Sequence, residues 1–186
     1  MKKSLILLGL LGSSFAFGQA DLNEADREIM SAMRNRMQMQ QSQWFEDGDF
    51  PHAIRSLEFQ VKVLPFDYEA VTNLSYMYKN VEDFGSELAI LVWFKETFPE
   101  MPDSAYPLAE FYYLKRSYRM VVSLLSPVVE KFPNQHPNTY RILAHSYDRT
   151  GMYKQALATW DAYIKLAPTD EAAKVNREKV QQKLKK

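Results

Sequence analysis

Few side chains in this sequence are equipped for chemistry, and their spacing limits what that chemistry can be. The 186 residues include three histidines and no cysteine. Thiolate metal sites, a cysteine nucleophile, disulfides and lipid attachment through a cysteine are therefore excluded. His52 follows Pro51 at an expected helix start, and His136 lies in the Gln135-His136-Pro137 loop, so both are expected in solvent. No His-Glu-x-x-His, Gly-x-Ser-x-Gly or glycine-rich phosphate motif occurs, and there are six glycines in all. Asp47 and Asp49 form a carboxylate pair, but they flank Gly48 in an expected turn between helices, where capping explains them. No catalytic residue and no cofactor is expected.

Methionine gives a second chemistry. Met30, Met33, Met37 and Met39 fall close together, and thioethers are soft ligands that favour Cu(I). Met33, Met37 and Met39 are the candidate ligands of a copper-binding alternative. Against it, Met30, Met33 and Met37 recur at i, i+3 and i+7, the stripe of a packed helix, and methionine fills irregular gaps well. Only Met39 is off that stripe. The basic tail (Lys174, Arg177, Lys179, Lys183, Lys185, Lys186) is diluted by Glu171 and Glu178 and reads as a solvated helix face. Formal net charge is zero, so no global field attracts nucleic acid.

The elements that position these residues repeat. Pro65, Pro99, Pro133 and Pro168 are separated by 34, 34 and 35 residues. Trp44, Tyr78, Tyr112 and Tyr147 keep those intervals, as do Phe50, Phe84, Tyr118 and Tyr153, and Leu57, Leu91, Leu125 and Trp160. Such self-similarity marks a repeat architecture. Within the last unit, Tyr140, Leu143, Ala144 and Tyr147 lie at i, i+3, i+4 and i+7 of a first helix. Thr150-Gly151 ends it, Ala156, Trp160 and Tyr163 mark a second helix, and Pro168 stops that one.

These columns resemble the tetratricopeptide repeat (TPR), whose signature runs aromatic, leucine, small, aromatic, alanine, aromatic, proline. Tyr140 to Pro168 matches every element. The second unit keeps Leu74, Ser75, Tyr78, Phe84 and Leu91 but has Glu87 where the family places a small alanine. The third keeps Leu108, Ala109, Tyr112 and Tyr118, with Val121 at that position. The first keeps Gly48, Phe50, Ala53, Leu57 and Pro65, while Gln40 and Gln41 stand where leucine and a small residue belong. The resemblance implies an all-α, right-handed solenoid of about four helix-turn-helix repeats, near 34–67, 68–101, 102–135 and 137–170, within a domain of 21–170. A capping helix at 171–186 closes it, and a polar-faced helix, Asp21 to Gln43, leads in. Pro127 should kink its helix, and Pro107 should sit in a first turn.

Residues 1–20 read as a cleavable export signal. Lys2 and Lys3 precede the apolar run Leu5 to Phe17, which is shorter than the ~20 residues a membrane span needs. Cleavage is expected after Ala20 or after Gly18. Without Lys2 and Lys3, 21 of the 23 basic residues face 23 acids, a net charge of −2. The expected destination is periplasmic or secreted, without stable membrane insertion.

In the TPR family the first helices line a concave groove, so the resemblance implies a non-enzymatic scaffold that holds a protein or peptide partner of the envelope or exterior there. Off the packed face lie Thr72, Asn73, Tyr76, Lys79 and Asn80 in the second unit. The third contributes Tyr106, Glu110 and Tyr113, and the fourth Arg141, His145, Asp148 and Arg149. Tyrosine supplies a rigid body with a polar tip that suits peptide recognition. The family's clamp for a terminal carboxylate is not expected: Gln38, Ser42, Asp103 and Pro107 take most of its places, and only Asn73 fits. His145 could make binding respond to pH. A self-associating structural role is a further alternative, and the sequence leaves the oligomeric state open.

Overall fold

The computed structural model describes residues 23–185, so the expected export signal lies outside the described residues, as do Asp21, Leu22 and Lys186. Among the described residues the secondary structure is all helix: α1 (Glu24–Glu46), α2 (Phe50–Val63), α3 (Tyr68–Asn80), α4 (Phe84–Thr97), α5 (Tyr106–Leu114), α6 (Tyr118–Lys131), α7 (Pro137–Arg149), α8 (Tyr153–Leu166) and α9 (Glu171–Leu184). None is long and apolar enough to cross a membrane.

Local chemistry starts these helices. Asp49, Asp67, Asp83 and Asp170 each accept a backbone N–H of the following turn, satisfying a donor that the helix itself leaves free. The helix α5 lacks such a cap; it follows Ala105, carries Pro107 in its first turn and has nine residues against 13 in α3 and in α7. Pro127 lies inside α6, which runs on to Lys131. The turns inside the four helix pairs share one backbone device, a residue with positive φ. It is Gly48 (φ 74°), Glu82 (59°), Arg116 (58°) and Gly151 (78°) in turn. Glycine adopts this conformation without penalty, whereas a Cβ there costs about 1 kcal/mol.

The chain divides into two compact units, Met1–Gln40 and Gln41–Lys186. In the first, α1 presents Met30, Met33 and Met37 half-buried at i, i+3 and i+7, while Met39 is 65% exposed. In the second, each helix packs on its successor from α2 to α9, and α5 also touches α7. Its core forms two clusters. One joins Ala53, Leu57, Val61, Val71, Leu74 and Phe94 from α2, α3 and α4. The other joins Ala109, Val121, Leu125, Leu143, Ala156 and Trp160, together with Ala173 and Val180 of α9. The boundary between the two runs between α4 and α5.

The first unit's departure from the repeat pattern has a structural reason. Gln41, where a small residue belongs, is buried and donates through Nε2 to Gln60 Oε1 (2.9 Å) and Ser56 Oγ (3.0 Å). Gln60 in turn donates to Asp67 Oδ2 (3.1 Å), the cap of α3. Three repeats later the same link recurs, as Tyr163 donates to Asp170 Oδ2 (2.7 Å), the cap of α9. A buried polar network of this kind is stable only when its members are paired.

Candidate functional site

The candidate site is the face built by the first helices α3, α5 and α7. On α3, Asn73, Lys79 and Asn80 are exposed, Thr72 is half-buried and Tyr76 is 48% exposed. Thr72 donates its hydroxyl to Tyr68 O, and Asn80 donates through Nδ2 to Tyr76 O, so both also serve their own helix. Tyr76 stands against Phe45, with ring centroids 5.8 Å apart. On α5, Glu110 is exposed and accepts the Tyr106 hydroxyl at 3.0 Å. On α7, Arg141 and Arg149 are exposed.

Three of the expected groove tyrosines and polar groups do more packing than expected. Tyr106 and Tyr113 are half-buried against the second core cluster, and burial pushes both hydroxyls above the ordinary range. The short helix α5 explains this: its few residues must reach further to cover Tyr118 and the fourth unit, and Tyr113 meets the Tyr118 ring at 5.8 Å. His145 is half-buried too, edge-on to Trp160 at 4.8 Å and beside Tyr113 at 6.4 Å. Burial pulls its imidazole below the usual value of 6.5; Arg141 adds to this, Asp148 opposes it and Arg149 reinforces it. The protonation window thus lies on the acid side of the near-neutral range expected for it. Asp148 is engaged as well, accepting Lys183 of α9 at 2.7 Å.

The other residues singled out in the sequence have structural partners. His52 bridges to the Asp49 carboxylate at 2.7 Å and stacks on Trp44 at 5.6 Å. That hydrogen bond holds the Asp49 carboxyl below its usual range. Asp47 accepts Gln43 Nε2 at 3.1 Å, and His136 accepts the Asn138 N–H at the start of α7. In the basic tail, Arg177 ties α9 to Asp161 of α8 and Lys174 pairs with Glu171. Arg149 shares a hollow of about 420 Å³ with Arg116 and Arg119. Among the described residues, no cluster of three or more histidine or acidic side chains is arranged to hold a metal ion.

One feature of this face was only half legible in the sequence. Glu87 of α4, on the column that holds Ala53, Val121 and Ala156, is 6% exposed, and its Oε2 has no hydrogen-bond partner. Beside it lies a cavity of about 110 Å³ between α3 and α5, walled by Tyr76, Leu91, Phe111 and Leu114. Burial raises the Glu87 carboxyl above the usual carboxylate range, while Lys115 and Lys79 pull the other way. The misfit of glutamate in a column of small residues was the sequence signal. That nothing answers it required the fold.

With this geometry in view, solved structures of similar shape can be compared. MamA of AMB-1 superposes with a TM-score of 0.63 at 18% identity, over 80% of this chain and 87% of that one. MamA of MSR-1 gives 0.60 at 19% identity, over 80% and 84%. MamA, from residue 41 to the end, of Desulfovibrio magneticus RS-1 gives 0.59 at 14%, over 81% and 90%. No protein-family model matches the chain, and no curated protein sequence does. The likeness is one of fold: an all-helical, TPR-like solenoid.

Proposed function

We propose that this chain is a non-enzymatic scaffold or adaptor that binds a segment of a protein partner along the face of α3, α5 and α7. The observation that carries this reading is the row of accessible side chains on successive first helices. Asn73, Tyr76, Glu110 and Arg141 stay exposed or half-exposed while the opposite faces of the same helices are buried. Side chains at i, i+3 and i+7 of parallel helices can address an extended backbone at several points at once. We place the protein outside the cytoplasm, on the charged start and short apolar run of residues 1–20. The N-terminal residue of protein recovered from an exporting cell tests that placement: cleavage should leave Asp21, or Gln19 for the alternative site.

Capture from envelope extracts tests the adaptor role, with the full chain as bait beside an Asn73→Ala, Tyr76→Ala, Arg141→Ala variant. These side chains are the accessible members of the face, so circular dichroism should show an unchanged fold. Retention by the natural chain and loss by the variant supports role and site together. Equal retention keeps the role and removes the site. Copper bound through Met33, Met37 and Met39 remains the alternative reading, since Met39 is exposed, and copper titration of a Met39→Leu variant separates it.

A further inference from the structure

The buried, unanswered carboxylate of Glu87 indicates the chemistry of what the first-helix face accepts. Orphaned buried acceptors are rare, and each calls for a donor. The neighbours of Glu87 do not supply one. Lys115 is held over the Phe84 ring at 4.1 Å and near the Phe111 ring at 5.6 Å. The Tyr106 hydroxyl donates to Glu110 instead. Lys79 is exposed beside the cavity and makes no hydrogen bond that reaches Oε2. The helix pair α3–α4 thus carries a carboxylate in its packing face with open space beside it, and Lys115 and Lys79 act on it by charge alone, leaving Oε2 without a hydrogen bond.

The geometry points to a pocket for one arginine side chain, presented by an extended segment of a partner protein. Glu87 forms its acidic floor, and Glu110 adds a second carboxylate. A guanidinium brings five N–H donors in a plane and is weakly hydrated, so it can enter a half-dry cavity and satisfy a carboxylate there. Tyr76 and Phe111 line the cavity with aromatic surface, and Leu91 and Leu114 add apolar surface for the arginine's methylene stem. A lysine ammonium carries the same charge but is more strongly hydrated and lacks the flat surface for stacking. The cavity of about 110 Å³ admits a side-chain head and nothing larger, which makes it a specificity pocket within a longer contact. This inference rests on the adaptor reading for the identity of the partner as a protein, but the pocket can be tested alone.

The test is an amide-shift titration of the isotope-labelled full chain with the blocked pentapeptide Gly-Gly-Arg-Gly-Gly. Peptides with citrulline or lysine at the centre serve as probes of charge and shape. The arginine peptide should shift amides around Ser75, Glu87, Leu91 and Phe111 saturably in the millimolar range. Citrulline, neutral and nearly isosteric, should bind at least about tenfold more weakly, and lysine should fall between. Glu87→Gln, which keeps the side-chain volume, should weaken the arginine peptide to the citrulline level while leaving the remaining spectrum intact. Equal binding of arginine and citrulline, an unchanged affinity in Glu87→Gln, or no saturable shift at concentrations on the order of 10 mM would each overturn the inference. The two readings fail separately. A partner captured equally by the natural chain and by Glu87→Gln removes the pocket and leaves the adaptor; a pocket that binds arginine while nothing is captured removes the adaptor.

Discussion

The pairs α3–α4 and α7–α8 occupy the same places in two copies of one pattern, and they spend their interiors differently. In α7–α8, Ala144 and Ala156 are fully buried at the crossing, Trp160 fills the space beside them and Gly151 makes the turn. In α3–α4 the corresponding residues are Ser75, Glu87, Leu91 and Glu82, and the result is a buried carboxylate, a cavity beside it and a turn residue with a Cβ in the left-handed region. Three departures from one pattern fall in one unit, at the boundary between the two core clusters. A repeat array tolerates this because each unit is held by its neighbours.

That contrast can be broken most forcefully from the stable side. Ala156→Glu places a carboxylate where α7 and α8 touch, at a position that is fully buried. It should destabilise by about 4 kcal/mol or more, from uncompensated burial and overpacking together, measured by urea unfolding. Trp160→Ala should be of similar size, about 3–5 kcal/mol, through the void it leaves. If Ala156→Glu is tolerated as Glu87 is, the two pairs do not differ in the way described.

The reciprocal change should go the other way. Glu87→Met replaces the orphaned carboxylate with an apolar chain of similar length and should stabilise by about 1–3 kcal/mol at neutral pH. Its advantage should depend on pH. Because the Glu87 carboxyl titrates above its unfolded value, its folded state is favoured in acid, and that stability is lost as pH rises through the folded pKa. The gap between Glu87→Met and the natural chain should therefore widen from acid to neutral pH and then level off. A gap independent of pH would mean that the Glu87 carboxyl titrates alike in the folded and unfolded chain.

His145 provides the opposite sign in the other half. Its folded pKa is depressed, so its contribution is present above the ordinary value of 6.5 and is lost as pH falls below it. His145→Gln should flatten the acid limb of the stability profile, a smaller effect confined to mildly acid pH. The turns give the finest comparison. Glu82→Gly should stabilise by up to about 1 kcal/mol, and Gly151→Ala should destabilise by about as much, since a Cβ at Gly151 meets no neighbour within 4 Å and only backbone strain is at issue. Equal effects of like sign at both turns would show that the shared φ is not what distinguishes them.

Much of the fold was legible because a repeat announces itself four times. The proline, aromatic and leucine columns locate the paired helices, and α2 to α9 begin and end close to where Phe50, Pro65, Tyr118 or Pro168 imply. The candidate face was legible less well. The helical period shows which residues point away from the small-residue column, and of these Asn73, Tyr76, Glu110 and Arg141 are exposed in the structure. Tyr106, Tyr113 and His145, expected on the same face, are half-buried: the two tyrosines sit on the nine-residue α5 and pack on the core, and His145, on the longer α7, lies edge-on to Trp160.

What the sequence determined by itself is the architecture: an array of helix pairs, with no thiol chemistry available. The reason is that hydrophobic period, caps and breakers act within a few residues of one another, and so are written along the chain. What only the tertiary structure decided is the fate of the polar residues placed in packed positions. Gln41 and Glu87 both break the small-residue pattern. Gln41 finds Ser56 and Gln60, 15 and 19 residues away, and becomes structure. Glu87 finds no partner for Oε2 and a cavity instead. Burial sets the same demand on both side chains, and whether a distant residue meets it depends on which helices the fold brings together.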